Sequence, residues 1–523
     1  MSSASDLGNA AEQLWDVIVV GTGMGGATVG HALATRGLSV LFLEKGRDIA
    51  AAPSAHPAEA SRTDQGWWPV PISERRADGR FDRFDAPIGC AVGGSSIHYA
   101  AALERMAPSD FDALTTAGQS VPAWPVPFDA FEPFYRRAEA LYRVAQDDEA
   151  TADARLSEWD RALRDAMRAN GLHPKPLQVA MRYDRDCEEC VGRICPRRCK
   201  MDARTACLDE ALRQSRCRLI DDCDVQALDA DASRVRVVRA MRRGEALALR
   251  ARVVVLAAGA LHSPQILLRS RNAHWPNGLA NSSDQVGRNL MFHTADIYAL
   301  WAPRRFDRRG RQKKALSIRD FYVRGGRRLG YVQSMGLDAG RGEIAGFLKD
   351  SLRRHGIRNE LLLKLLVKVP SHAGAWLFGE ASVFAAMSED DPDPDNRIEL
   401  APNEPDGAAF RYRIADDLRQ RADALFAEFT RHVRPWRVVR VSRTLTMNHG
   451  HPCGTCRFGT DPATSVLDPN CRAHDLANLF VVDASFMPRS GAINPSLTIA
   501  ANALRTAAPI ADIVAAESSN GAS

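Results

Sequence analysis

The stretch from Asp16 to Glu44 restricts the fold more than any other part of the chain. Asp16-Val17-Ile18-Val19-Val20 is an apolar run suited to a strand buried on both faces. Gly21-Thr22-Gly23-Met24-Gly25-Gly26 follows at once, then a helical stretch from Ala27 to Arg36 that Gly37 closes as a C-cap. A second strand, Ser39-Val40-Leu41-Phe42-Leu43, ends on Glu44. Strand, glycines, helix, strand and terminal acid in this order make a Rossmann-like dinucleotide-binding unit. The glycines let the backbone approach a pyrophosphate, and the helix N-terminus offers it unpaired N–H groups. Glu44 suits the adenosine ribose hydroxyls, where an acid disfavours a 2′-phosphate. The unit alone does not separate NAD from FAD.

At 523 residues the chain can bury a large core and predicts two closely associated domains. Its net charge of +5 is a small excess for that length and does not point to nucleic acid. Between Arg304 and Arg328 eleven Arg or Lys residues face only Asp307 and Asp320, which reads as a solvated loop or hairpin, with a docking surface as the other reading. The N-terminus, Met1 to Trp15, is short and polar and carries no basic segment followed by an apolar one. No apolar run is long enough to span a bilayer, so the expectation is a soluble cytoplasmic protein. Periplasmic export within a complex, on a partner's signal, stays open.

Two more glycine motifs and one C-terminal block carry a resemblance. Gly89-Cys90-Ala91-Val92-Gly93-Gly94-Ser95-Ser96-Ile97-His98-Tyr99 is the first. The second follows short strands over Val225–Leu228, Arg234–Ala240 and Ala246–Ala251 and a buried strand, Val253–Gly259. It runs Gly259-Ala260-Leu261-His262-Ser263-Pro264 into a Pro-started helix, and Val286-Gly287-Arg288-Asn289-Leu290-Met291-Phe292-His293 comes after it. The block starts Asn448-His449-Gly450-His451-Pro452-Cys453-Gly454-Thr455-Cys456 and reaches Asp483-Ala484-Ser485 and Asn494-Pro495-Ser496. Together these resemble the glucose-methanol-choline (GMC) family of FAD-dependent oxidoreductases, in family order, from Asp16 to about Ala508.

The resemblance implies an α/β (α+β) fold with a Rossmann-like FAD-binding domain and a substrate domain built on an antiparallel sheet covered by helices. The FAD-binding part would be discontinuous, over residues 1–125, 201–300 and 437–523, and the substrate part would take 126–200 and 301–436. FAD would be held by Gly21, Gly23, Met24, Gly25 and Gly26, by Glu44 and Lys45, and by Gly93, Gly94, Ser95, Ser96 and His98. Val225 would meet the adenine, with Ala258 and Gly259 beside the phosphates. Asp483 and Ala484 would lie near the ribityl or pyrophosphate part, and Pro495 and Ser496 would start a helix aimed at the flavin. Some family members with a histidine at the spacing of His98 bond it covalently to the flavin 8α carbon, and others hold FAD non-covalently. Phe378 to Leu400, with Glu380, resembles the substrate-domain sheet.

Seven of eleven cysteines fall between Cys187 and Cys223. Cys187, Cys190, Cys195 and Cys199 lie within thirteen residues, one of them followed by Pro196, with Cys207 shortly after. Such thiolates can wrap an iron–sulfur cluster; zinc, free thiols and disulfides are the other readings. The segment is loosely similar to one in the catalytic subunits of bacterial FAD glucose dehydrogenases, with different spacing. Cys453 and Cys456 read as structural. Asn359 to Val369 reads as an apolar helix packed into the core or the substrate domain, with a membrane or partner face as the other reading.

The family register makes His451 the base and Asn494 the amide that orients the alcohol, with His449 the nearest competitor. A histidine titrates near neutral pH and so can take a hydroxyl proton. The implied enzyme passes a hydride from an alcohol CH–OH to FAD and a proton to His451. It is expected to work as a dehydrogenase with a non-oxygen acceptor, either the metal centre or an electron-accepting protein partner. The alternatives are an oxidase forming hydrogen peroxide, a non-catalytic electron-transfer subunit, and a lyase or isomerase on the same fold.

Overall fold

The computed structural model describes residues 10–49, 62–76, 78–116, 119–144, 149–183, 187, 189–309, 312–338, 345, 348–349, 352, 357, 359–378, 381–400, 408–441 and 445–520. Met1 to Asn9 and Glu380 therefore lie outside the described residues.

The apolar run near the N-terminus forms β1 (Leu14–Val20), flanked on both edges as its composition requires. Its sheet runs β3 (Cys217–Ile220), β2 (Val40–Leu43), β1, β6 (Glu245–Leu256), β5 (Val235–Arg242), β4 (Cys223–Ala230), with β14 (Leu479–Val481) also on β6. β1 is parallel to β2 and β6, pairing Val17 with Val40 and with Val253. The two strands expected over Ala246–Ala251 and Val253–Gly259 are one strand. The first half of β6 pairs antiparallel with β5, and its second half is parallel to β1 and β14. Arg250 and Arg252 interrupt the apolar pattern without breaking the backbone ladder.

Helix α1 (Met24–Ala34) starts inside the glycine loop, three residues earlier than its side-chain pattern suggests. It packs on α5 (Ser496–Asn520), as does α2 (Phe128–Leu141). Tyr135 on α2 hydrogen-bonds to Thr498 at 2.8 Å, so α2 lies on the dinucleotide side although its residues were expected in the substrate domain. Ser496–Ser519 contains an 18-residue window with a mean hydropathy of 1.2, long and apolar enough to cross a membrane by length and composition. That corrects the expectation that no such run exists. More than half of that window is buried inside the protein (56%), as in a core helix.

A second sheet runs β12 (Arg437–Arg440), β8 (Asp296–Trp301), β11 (Ser382–Met387), β10 (Tyr331–Asp338), β9 (Leu316–Ile318) and Lys175–Pro176, antiparallel throughout. The helices Glu158–Ala169 and α4 (Asp416–His432) cover it, burying Trp159, Leu163, Leu425 and Phe429 against Tyr298, Leu300 and Val332. β8 and β12 of this sheet fall in stretches expected in the FAD-binding part.

Two sequence expectations change here. Helix α3 (Glu360–Phe378) buries Leu363 and Val367, yet Leu361, Leu365 and Val369 are 70%, 63% and 74% exposed. One side packs and the other does not, so the helix is not a core helix. The basic run is no simple solvated loop either. Lys314 is buried, Arg319 meets Glu104 at 3.2 Å, and Arg328 binds Glu389 at 2.6 Å and also Asp110. The acids that neutralise it come from distant segments, which a local charge count misses.

Candidate active site

The C-terminal ends of β1, β2, β6 and β14 open into one cavity of about 540 Å³. Gly21, Gly23, Met24, Gly25, Glu44, Lys45, Gly94, Ser95, Ser96 and His98 line one part of it. Val225, Ala258, Gly259, Asp483, Ala484, Pro495 and Ser496 line the rest, with His451 and Asn494. Gly26 and Gly93 are not at the wall. A Cβ on Gly26 would lie 2.0 Å from the Gly21 carbonyl oxygen, so this glycine serves close packing of the loop on α1. Gly93 N–H donates to Thr22 Oγ1 at 2.9 Å, tying the two glycine loops together.

Glu44 is buried at the end of β2, where it accepts from Thr22 N–H at 2.9 Å and Gly46 N–H at 2.9 Å. Burial raises its pKa, and these donors oppose the rise. Lys45 pairs with Asp224 at 3.2 Å and sits 4.9 Å over the Trp68 ring. Asp483 spends its carboxylate on protein donors: Gly259 N–H and Ser485 N–H, both at 2.9 Å, and the Ser263 and Ser485 hydroxyls. It stitches the ends of β6 and β14 together at the cavity wall.

His98 stacks on Trp67 with ring centroids 3.7 Å apart, and one ring nitrogen, Nε2, lies 3.4 Å from the Gly66 carbonyl. Its Nδ1 is buried without a partner, as are His262 Nε2 and Trp68 Nε1, and all three residues line the cavity. Burial pushes the His98 imidazole down to about 4 and that of His262 to about 3. A cradle of glycine backbone, with three orphaned polar atoms in residues that line the cavity, fits a large ligand rich in hydrogen-bonding groups, as FAD is.

His451 lies on β13 (Met447–Cys453), which pairs with β7 (Met291–Thr294) through a bulge between Met291 and His293. The bulge re-aims the strand. His451 Nδ1 is 3.2 Å from His293 Nδ1 and 3.2 Å from Asn448 Nδ2. His293 Nε2 lies 3.2 Å from the Ser490 carbonyl. Burial pushes the His451 imidazole down to about 3, with the neighbouring His293 lowering it further. His449 packs among Phe84, Phe292 and Phe410 and is not at the cavity. Asn494 stands just before α5, its amide 3.0 Å from Gln333 Oε1. Tyr331 OH is 2.7 Å from Glu104 and 3.1 Å from the same Gln333 oxygen. Sequence reasoning missed both His293 and Gln333. The first stood inside a quoted motif, and the second had no local signal.

Cys187, Cys190, Cys195 and Cys199 pack against one another. Among the described residues, however, no group of three or more His, Cys, Asp or Glu is arranged to hold a metal ion. The four-cysteine metal site is not carried further. The loop is latched instead by Lys200, whose buried Nζ donates to the carbonyls of Cys190 and Arg193 at 2.9 and 2.8 Å. Gly192 N–H in the same loop donates to the His98 carbonyl at 2.9 Å, and Val191 and Gly192 form part of the cavity wall. Cys207 is elsewhere, packed on Tyr142 and Thr28. Cys453 and Cys456 are buried free thiols, in keeping with a structural role.

The chain matches the sequence profiles of GMC oxidoreductases over residues 15–295 and 388–503. It is 29% identical to 6'''-hydroxyparomomycin C oxidase of Streptomyces lividus, covering 97% of this chain and 93% of that protein. With 2-methyl-1,2-propanediol dehydrogenase of Mycolicibacterium austroafricanum the identity is 27%, over 94% of each. Among solved structures, pyridoxine 4-oxidase from "Mesorbium loti" shares the fold, with a TM-score of 0.65 at 22% identity, covering 95% of this chain and 99% of that one.

Proposed function

Since this chain belongs to the GMC oxidoreductases, flavoenzymes that bind FAD and act on hydroxyl groups, we propose that it oxidises a CH–OH group of a small polyhydroxylated alcohol to a carbonyl, with His451 as base and Asn494 as orienting amide. The observation that carries this reading is the convergence of His451 and Asn494 on the cavity that the glycine loops also line. The glycine loops and the N-terminus of α1 suit the pyrophosphate, and Glu44 the adenosine ribose. FAD, when bound, supplies the hydride acceptor.

His451 is neutral at pH 7 and takes the alcohol proton at Nε2, the nitrogen turned away from His293 and Asn448. The Asn494 amide aims the hydroxyl and supports developing negative charge on its oxygen. Asn494 Nδ2 donates one hydrogen to Gln333 Oε1 at 3.0 Å, which fixes the amide and leaves its second N–H for the cavity.

Relatives named for a hydroxyparomomycin and a propanediol favour a polar, multiply hydroxylated substrate over a sterol. The test is anaerobic mixing of the FAD-loaded protein with aminoglycosides, 1,2-diols, hexoses and benzyl alcohol. Loss of the oxidised flavin absorbance with a hydroxylated compound is expected, and no loss with any of them would sink the reading. Peroxide release against dye reduction, measured with the compound that works, then identifies the acceptor.

His98 is the residue proposed to carry a covalent flavin. With Nε2 donating to Gly66, its orphaned Nδ1 is a bare, nucleophilic nitrogen at neutral pH. Protein precipitated with acid should stay yellow, and His98→Ala should release the colour. A colourless wild-type pellet would show that the flavin is held without a bond.

A further inference from the structure

We propose that His293 is a positioning residue that relays the proton: His451 receives the alcohol proton at Nε2 and passes its own Nδ1 proton to His293. The proposal rests on the reading of His451 as base. Its geometry begins at Ser490. A carbonyl only accepts, so the 3.2 Å contact requires a proton on His293 Nε2. In neutral His293 the Nδ1 is therefore bare. It faces His451 Nδ1 at 3.2 Å, and two bare nitrogens at that distance would repel. His451 accordingly carries its proton on Nδ1 and leaves Nε2 bare, which is the tautomer a base needs.

Asn448 then supplies the bias. Its Oδ1 is taken by Gly450 N–H at 3.0 Å, so its Nδ2 donor points at His451 Nδ1 from 3.2 Å. While His451 holds a proton there, donor faces donor. Once that proton has moved to His293, His451 Nδ1 accepts from both Asn448 and His293. The balance is complete: the alcohol O–H and the His451 Nδ1–H bonds break, and N–H bonds form at His451 Nε2 and His293 Nδ1. His293 becomes an imidazolium donating to His451 and to Ser490.

The surroundings favour the charge on His293 over His451. Burial lowers the His293 pKa overall, but the Ser490 and Gly491 carbonyls and the Glu389 carboxylate oppose that fall. Glu389 is itself held by Arg489 at 2.9 Å and Arg328 at 2.6 Å, and Arg328 also binds Asp110. Asp390, the next residue, faces the other way, bound to Phe292 N–H and Tyr412. His451 has no such acid among the causes of its shift, which are burial and His293 alone.

The experiment is ¹⁵N spectroscopy of the FAD-loaded full chain labelled at histidine, titrated downward in pH, with His293→Asn and His451→Asn used for assignment. Asparagine at 293 keeps an acceptor near the Nδ1 position but cannot take a proton. The expected result is that the pair's first proton gives His293 two N–H groups while His451 keeps one bare nitrogen. A doubly protonated His451, or a His293 that stays neutral until the protein unfolds, would overturn the relay. In flavin reduction, His293→Asn should lower the limiting rate about 10-fold or more, move the acid limb of the pH profile to lower pH, and leave substrate affinity unchanged. A rate loss with an unmoved limb would mean a structural role only. If no alcohol reduces the wild-type flavin, the oxidation reading fails and the spectra still decide the relay.

Discussion

Replacing His451 with alanine is expected to slow flavin reduction by an alcohol about 10²- to 10⁴-fold, the range typical of general-base help, while the protein still purifies with FAD. His451 borders the cavity, and its side-chain hydrogen bonds among the described residues run through Nδ1, with a ring contact to His293 beside them. Removing the ring costs a base without opening the glycine loops or the Glu44 end of the cavity. Stopped-flow reduction with a substrate found in the alcohol panel is the measurement. A loss under about 3-fold, set against that range, would take His451 out of the role and turn attention to the other groups at the wall.

The second large effect concerns stability. Glu389 is buried and binds Arg489 at 2.9 and 3.0 Å and Arg328 at 2.6 Å, and its backbone carbonyl accepts from Arg421 at 2.8 Å. Burial raises its pKa, but Arg489 and Arg328 outweigh that and leave it below the usual value. Glu389→Ala leaves the buried Arg489 guanidinium without a counter-charge, while Arg328 keeps Asp110; breaking a buried pair in this way typically costs about 3–5 kcal/mol. Denaturant unfolding should therefore shift strongly, and Glu389→Gln, which keeps the shape and acceptor, should shift less. An unchanged midpoint for the alanine variant would mean that water reaches these charges. The sign with pH follows from the lowered pKa. The pair's contribution is present above the unfolded carboxyl value and fades as pH falls through the lower folded one.

Legibility in the sequence tracked distance along the chain. The unit from Asp16 to Glu44 could be read because its strand, glycine loop and helix are neighbours in sequence, and periodicity captures neighbours. His451 and Asn494 could be named because a family register fixes them. Gln333 and His293 needed strand pairings that no local pattern encodes: His293 meets a residue 158 positions away. Arg328 misled for the same reason, since its acids Asp110 and Glu389 lie far off in the chain. The cysteines differ. Their spacing permits a cluster, but spacing does not say where thiols point, and among the described residues no group of three or more is arranged to hold a metal ion.

β6 joins strands drawn from both ends of the polypeptide, Leu14–Val20 on one edge and Leu479–Val481 on the other. During synthesis the earlier strands wait for their last neighbour, because domains fold as units and long-range pairing comes late. Asp483, Asn494 and the start of α5 emerge later still, and they supply one side of the cavity. The cavity is therefore complete only after residues as late as Ser496 have been made. A ribosome that stalls before Leu479 would release a protein with the apolar end of β6 as an open edge, which is a template for aggregation and not a half-built flavoenzyme.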